Sequence, residues 1–178
     1  MGWENELFTL FDDLEGQASA LWEAEREAEL ADRAQAEYAS VSLASRLMAS
    51  TGAMVVVDLP GPGRVEGELR RVGEDWCLLA GRTADWVVPL RHVQAVRAAS
   101  PRAVPEVAWS PVHRLGLRAA MRRLSEGGVT CLLHLVGPMR VEARVDRVGR
   151  DFAELEAASG ERVLVPYPAI VAVQDRRS

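Results

Sequence analysis

The sequence predicts an α+β fold, mainly β, built from two tandem five-stranded small barrels, each preceded by a helix, behind an N-terminal acidic helical arm. Three observations carry that expectation. The stretch RVEGELRRVGEDWCLL, residues 64–79, recurs 76 positions later as RVEARVDRVGRDFAEL. Each copy sits among short apolar runs separated by turns rich in Gly and Pro. Residues 1–40 hold eleven Asp and Glu against Arg26 and Arg33, a net of −9, while the rest carries 19 Arg against 15 acids, a net of +4. The expected divisions are an acidic arm at 1–40, a first barrel repeat at 41–98, a Pro-rich linker at 99–113 and a second repeat at 114–178.

The arm reads as helix almost throughout. From Trp3 to Met48 there is no Pro, Gly16 is the only Gly, and Ala, Glu and Leu dominate. Leu7, Phe11, Leu14, Ala18, Leu21 and Ala28 recur at helical spacing, broken at Glu25, and Trp3, Phe8 and Trp22 widen the seam. Such a seam packs on the chain's own barrels, on a second copy or on a partner protein. Trp3, Leu7, Phe11, Leu14 and Leu21 are the candidate partner-binding residues. After residue 23 the segment is mostly charged and is expected to be solvated.

Within the first repeat, Val41, Ala44 and Met48 lie 76 residues before Leu117, Ala120 and Leu124, spacing that suits one face of a short helix in each unit. AMVVVDL then reads as a strand, and PGPG as a turn. Val65, Gly67 and Leu69 alternate with Glu66, Glu68 and Arg70, with Val141, Ala143 and Val145 as counterparts. Gly67 and Ala143 are thus small residues at equivalent inward positions, where a strand can bend over a small core. GED and GRD, containing Gly73 and Gly149, supply turns, and DWCLLAG, WVVPL and VQAVR complete five strands. So few short strands would cover their apolar face by closing into a barrel.

A helix followed by five strands with a bent second strand resembles the Sm-like fold of the eukaryotic Sm proteins and the bacterial host factor Hfq. The pattern Val65-x-Gly67-x-Leu69-x-x-Val72, the apolar strand at Trp76 and Leu78, and the segment VVPLRHVQAV carry the resemblance, which covers roughly residues 41–97 and 114–174. The whole chain, with its LFDDLEGQ opening, also resembles a little-characterised family of bacterial proteins, some labelled transcription regulators, although no helix-turn-helix pattern is present. Where Sm-like proteins carry an Asp after the bent strand, an Asn that helps bind a base and a later Arg-Gly pair, this chain has Gly73 or Gly149, Cys77 or Ala153, and Arg91-His92 or Pro168-Ala169. The resemblance therefore implies the fold without the standard base pocket.

Catalytic chemistry is not expected. Cys77 and Cys131 occupy non-equivalent positions in apolar runs and read as buried thiols, while His92, His113 and His134 have no partner at suggestive spacing. No phosphate-binding glycine motif or metal-ligand spacing occurs, so no cofactor or metal is expected. Every basic residue is Arg, and Arg114, Arg118 and Arg122 recur every four residues as a basic stripe suited to phosphates, or as a solvated helix face. Trp86 lacks an aromatic counterpart in the second repeat and is the exposed-contact or stacking candidate, with burial the favoured reading; Trp109 is expected to pin the linker onto a barrel. No apolar run reaches the length of a membrane span and no secretion signal is read at the start, so a cytoplasmic protein without membrane contact is expected. The favoured expectation is a non-enzymatic adaptor or regulatory protein showing its acidic helix to a protein partner or to itself. The alternative is an RNA-binding regulator using the basic stripe, and a third is a structural homo-oligomer using barrel edges.

Overall fold

A computed structural model describes residues 3–176, with side chains in the N-terminal helix described from residue 15 onward except Ala18 and Ala24. The chain divides into two compact units, Met1–Val41 and Ser42–Ser178. The first is the arm, a single helix α1 (Trp3–Ala39). Its length follows from the absence of Pro and the abundance of Ala, Glu and Leu, and Gly16 does not break it.

Among the described residues the second unit holds two α-helices and ten strands, with short 3₁₀ turns between them. After α2 (Leu43–Met48) come β1 (Met54–Leu59), β2 (Gly63–Val72), β3 (Trp76–Ala80), β4 (Ala84–Pro89) and β5 (Ala95–Arg97). After the linker come α3 (Leu117–Gly127), β6 (Thr130–Leu135), β7 (Arg140–Val148), β8 (Phe152–Ala157), β9 (Arg162–Pro166) and β10 (Ile170–Arg176). The repeat thus reproduces a helix and five strands in both halves, and the two halves have the same strand order, β5-β1-β2-β3-β4 and β10-β6-β7-β8-β9. Even the irregularity recurs. Pairing of β2 with β3 shifts register between Leu69 and Arg71, and pairing of β7 with β8 shifts between Val145 and Arg147. These bulges bend the long second strand of each repeat. Gly67, buried in β2, lies so close to β3 that an added Cβ would stand 2.9 Å from the Ala80 carbonyl oxygen, as expected of a strand curling over a small core.

Closure of each repeat into its own barrel is not what the hydrogen bonding forms. The ten antiparallel strands make one open sheet in the order β5-β1-β2-β3-β4-β10-β6-β7-β8-β9. The physical reason is that the edge of β4 is occupied by the other repeat: Val87 pairs with Val173 and Trp86 with Gln174 of β10. An edge satisfied by a neighbour has no need to close on its own sheet. The cores interlock accordingly. Trp76 and Val87 of the first repeat join the second repeat's cluster around Leu117, Met121, Leu133 and Leu155. Val171 and Ala172 of the second repeat join the first cluster around Leu47, Val57, Leu69 and Leu79.

The linker is tied down as its Trp suggested. Trp109 is buried, and its indole Nε1 donates to the Val104 carbonyl at 3.0 Å. The Val104 N–H donates to Ser45 O at 3.0 Å, and Arg46 Nε donates to Ser100 O at 2.8 Å, fastening the segment to α2. Cys77 and Cys131 are both buried and unpaired with each other, and burial pushes their thiols up, to about 12 and about 11. They are therefore thiols rather than thiolates near neutral pH and act as small apolar side chains. Among the described residues no helix is long and apolar enough to cross a membrane.

Candidate functional site

Two surfaces gather the residues singled out above: the arm, and the junction where α3 and β10 meet the first repeat. On the arm, Leu21 is 67% exposed and Trp22 74% exposed, with Leu30 and Tyr38 also open to solvent. Trp3, Leu7, Phe11 and Leu14 lie on α1, but their side chains fall outside the described residues. The charged stretch after residue 23 is exposed as expected, including Arg33, which lies 3.8 Å from Glu29 one turn back.

The junction is assembled around the turn between β2 and β3. Gly73 turns the chain, and the Trp76 indole folds back over it so closely that an added Cβ would lie 2.2 Å from Nε1. Gly149 stands in the same relation to Phe152, at 2.6 Å from the ring. These two glycines therefore serve as more than turn residues: each is the floor on which its repeat's aromatic rests. Trp76 Nε1 donates to Leu115 O at 2.9 Å, and Asp75 Oδ1 accepts from the Leu117 N–H at 2.6 Å. The N-terminus of α3, whose own N-cap is Gly116, is in this way capped by the first repeat.

Arg114, Arg118 and Arg122 do not form one helical stripe. α3 starts at Leu117, and Arg114 ends a separate 3₁₀ turn, Pro111–Arg114, with Nη2 3.4 Å from Glu106 O. The regular four-residue spacing concealed Gly116, which interrupts the turn before the helix begins. Arg118 and Arg122 do share α3, and both are exposed with no ion pair among the described residues. Their charge reaches Tyr167, whose buried phenol is pushed up chiefly by loss of solvent, with these two guanidiniums pulling the other way. Arg123, beside them, is paired with Glu126 at 3.0 Å.

Trp86 is half-buried rather than open. Its ring packs against the first core and stacks on His134, centroids 5.4 Å apart and planes at 30°. His134 is buried on β6, with Nε2 3.2 Å from Gln174 Oε1 of β10. Because an amide oxygen only accepts, Nε2 carries the proton, and Nδ1 is left without a hydrogen-bond partner. Burial lowers this histidine's pKa, Gln174 raises it and nearby Arg140 lowers it. Trp86, His134 and Gln174 thus span the three strands β4, β6 and β10 that fuse the repeats, a role that sequence reading missed because β4 and β10 are brought together only by the fold.

The two 3₁₀ turns that precede the last strand of each repeat also meet at the junction. Arg91 Nη2 donates to Tyr167 O, and His92 Nε2 lies 2.9 Å from Pro168 O. On the other side, a groove of about 500 Å³ opens between β2–β3 and α3, with Trp76, Leu78 and Leu124 in its wall and Arg70, Arg71 and Arg123 among its lining residues. Arg70 is spoken for by Glu68 at 2.9 Å. No family model matches the chain, and no curated protein matches it.

Proposed function

We propose that this is a non-enzymatic adaptor or regulatory protein in which two Sm-like units, fused as an internal pseudo-dimer, carry an acidic amphipathic helix that binds a protein partner. The observation that supports the reading best is the exposure of Leu21 and Trp22 on a helix from a segment of net charge −9. Large apolar side chains ringed by acids are the anchors of helix-in-groove recognition, and the charge selects a basic groove. The Sm-like part of the reading rests on the repeated strand order with a bulged second strand in each half. The departures at Gly73, Cys77, Gly149 and Ala153 favour a scaffold over the family's base-binding role.

The test is the variant Leu21→Asp with Trp22→Asp in the full chain. Both positions are exposed, so the thermal transition is expected to hold while nuclease-resistant capture of a partner, or self-association through the arm, is lost. Unchanged capture would end the adaptor reading.

A second reading, RNA binding through the body, draws on Arg118 and Arg122, which are exposed on one helix and lack an acidic partner among the described residues.

A further inference from the structure

We infer that the groove between β2–β3 and α3 is a binding site for a small monoanionic amphiphile, a molecule with one carboxylate or sulfonate head and an apolar body. Arg71 holds the head, and Leu78, Leu115 and Leu124 receive the body. The inference concerns a different surface from the arm and stands independently of the adaptor reading. At about 500 Å³ the groove falls within the roughly 300–1,000 Å³ range of small-molecule sites. Its floor is apolar and firm. Trp76, Val87 and Ala120 are buried, and the Leu115 side chain stands on a backbone whose carbonyl accepts the Trp76 indole N–H. Above that floor, Val112 is 51% exposed and Leu115 48% exposed, with Leu78 and Leu124 half-buried, so the lining offers apolar surface that water still reaches. Among the described residues three arginines line the groove and no acid does.

The three cations are not equivalent. Arg70 lies 2.9 Å from Glu68, and Arg123 lies 3.0 Å from Glu126. Arg71 is exposed and has no ion pair among the described residues. The duplication supplies the comparison. Arg147 occupies the same place in the second repeat, with Asp146 3.9 Å away and Glu154 opposite it on β8. Glu154 is in turn 3.4 Å from Arg162. In the first repeat both acids are replaced: Arg70 stands at the place of Asp146, and Leu78 at the place of Glu154, directly across from Arg71. The same cation is thus neutralised in one repeat and left against an apolar wall in the other. A guanidinium beside apolar surface attracts an anion more strongly than one in open water, because less solvent screens the pair. One uncompensated cation also sets the ligand's charge. Glu68 and Glu126, paired at Arg70 and Arg123, would repel a segment bearing several acids, so a single anionic head fits where an acidic helix does not.

Decanoate is the probe, with decanol as the same tail without the charge, each titrated by calorimetry into the full chain below the concentration at which decanoate forms micelles. Decanoate should bind saturably at a single site per chain, and decanol about tenfold more weakly or worse, the loss of a charge-assisted contact. Arg71→Gln should bring decanoate down to the level of decanol, while Arg147→Gln should leave it unchanged. Both arginines are exposed, so neither change removes core packing. Absence of saturable binding, equal affinity for decanol, or native affinity in Arg71→Gln overturns the proposal. So does an equal loss with Arg147→Gln, which would make the attraction one of net charge alone. Binding that disappears with Leu21→Asp and Trp22→Asp would place the amphiphile on the arm and reject the groove. Affinity for phosphatidylglycerol vesicles, or self-association, that is lost with Arg71→Gln while decanoate fails to bind would assign the groove to a membrane surface or to a second copy, and overturn the proposal as well.

Discussion

Asp75 caps a helix that begins 42 residues later in the chain: its Oδ1 accepts a 2.6 Å hydrogen bond from the Leu117 N–H, the first residue of α3. The cap ties the turn of one repeat to the helix of the other. Asp75→Ala removes it, and loss of such a cap costs about 1 kcal/mol. Asp75→Asn keeps an acceptor oxygen and is expected to recover most of the loss. Urea unfolding of the two variants against the native chain checks the order.

The aromatic lids make a second, sharper prediction. Gly73→Ala places a Cβ against the Trp76 indole and 2.6 Å from the Leu115 backbone oxygen, whereas Gly149→Ala meets the Phe152 ring. A ring can swing; a backbone carbonyl held at the junction moves only with the segment around it. Overpacking of this kind costs roughly 1–3 kcal/mol. Gly73→Ala should lie at the upper end of that range and Gly149→Ala below it, read as the difference between their denaturant midpoints.

Much of this fold was legible in the repeat. Duplicated apolar spacing located both β blocks and their helices, and the alignment of Trp76 with Phe152 pointed to Trp76 as a core aromatic; Trp76 is buried in a core, whereas Phe152 is half-buried. What escaped was the pairing of β4 with β10, because strand edges are joined through backbone groups that leave no mark on side-chain periodicity. The same blindness explains Leu164. In the sequence it is one more residue of an apolar strand, and only the strand order reveals that it stands on the edge strand β9, open to solvent. The basic stripe failed for a different reason: regular Arg spacing suggested a continuous helix, and the Gly116 N-cap, with no side chain to announce it, starts the helix after Arg114.

His134 gives the junction a pH dependence with a defined sign. Its pKa in the folded chain lies below the ordinary 6.5, first because it is buried. The unfolded chain therefore binds the proton more readily, so stability falls as pH drops through about 6.5 toward the lower folded value. The native chain should lose melting temperature over that window. His134→Leu, which has nothing to protonate, should show a smaller loss over the same window, whatever its absolute stability. Equal pH slopes in the two proteins would mean that another group carries the effect.

Salt separates the two functional readings. Arginine contacts to phosphates release condensed counterions, so an RNA-binding body should lose affinity tenfold or more over a few-fold rise in salt. Phosphate contacts also carry little sequence information, so Arg118→Ala with Arg122→Ala should weaken binding to every single-stranded RNA alike. The arm, at a net of −9, would compete with RNA for the same guanidiniums, and removing residues 1–40 should then tighten binding. The adaptor reading expects none of these effects: RNA binding stays weak in both forms, and removal of the arm costs a protein partner. Fluorescence anisotropy with a labelled single strand, repeated across a salt series for the full chain, the arm-deleted chain and the double Arg variant, distinguishes the two. Submicromolar RNA affinity in the arm-deleted chain near physiological salt, abolished by the Arg changes, would displace the adaptor reading.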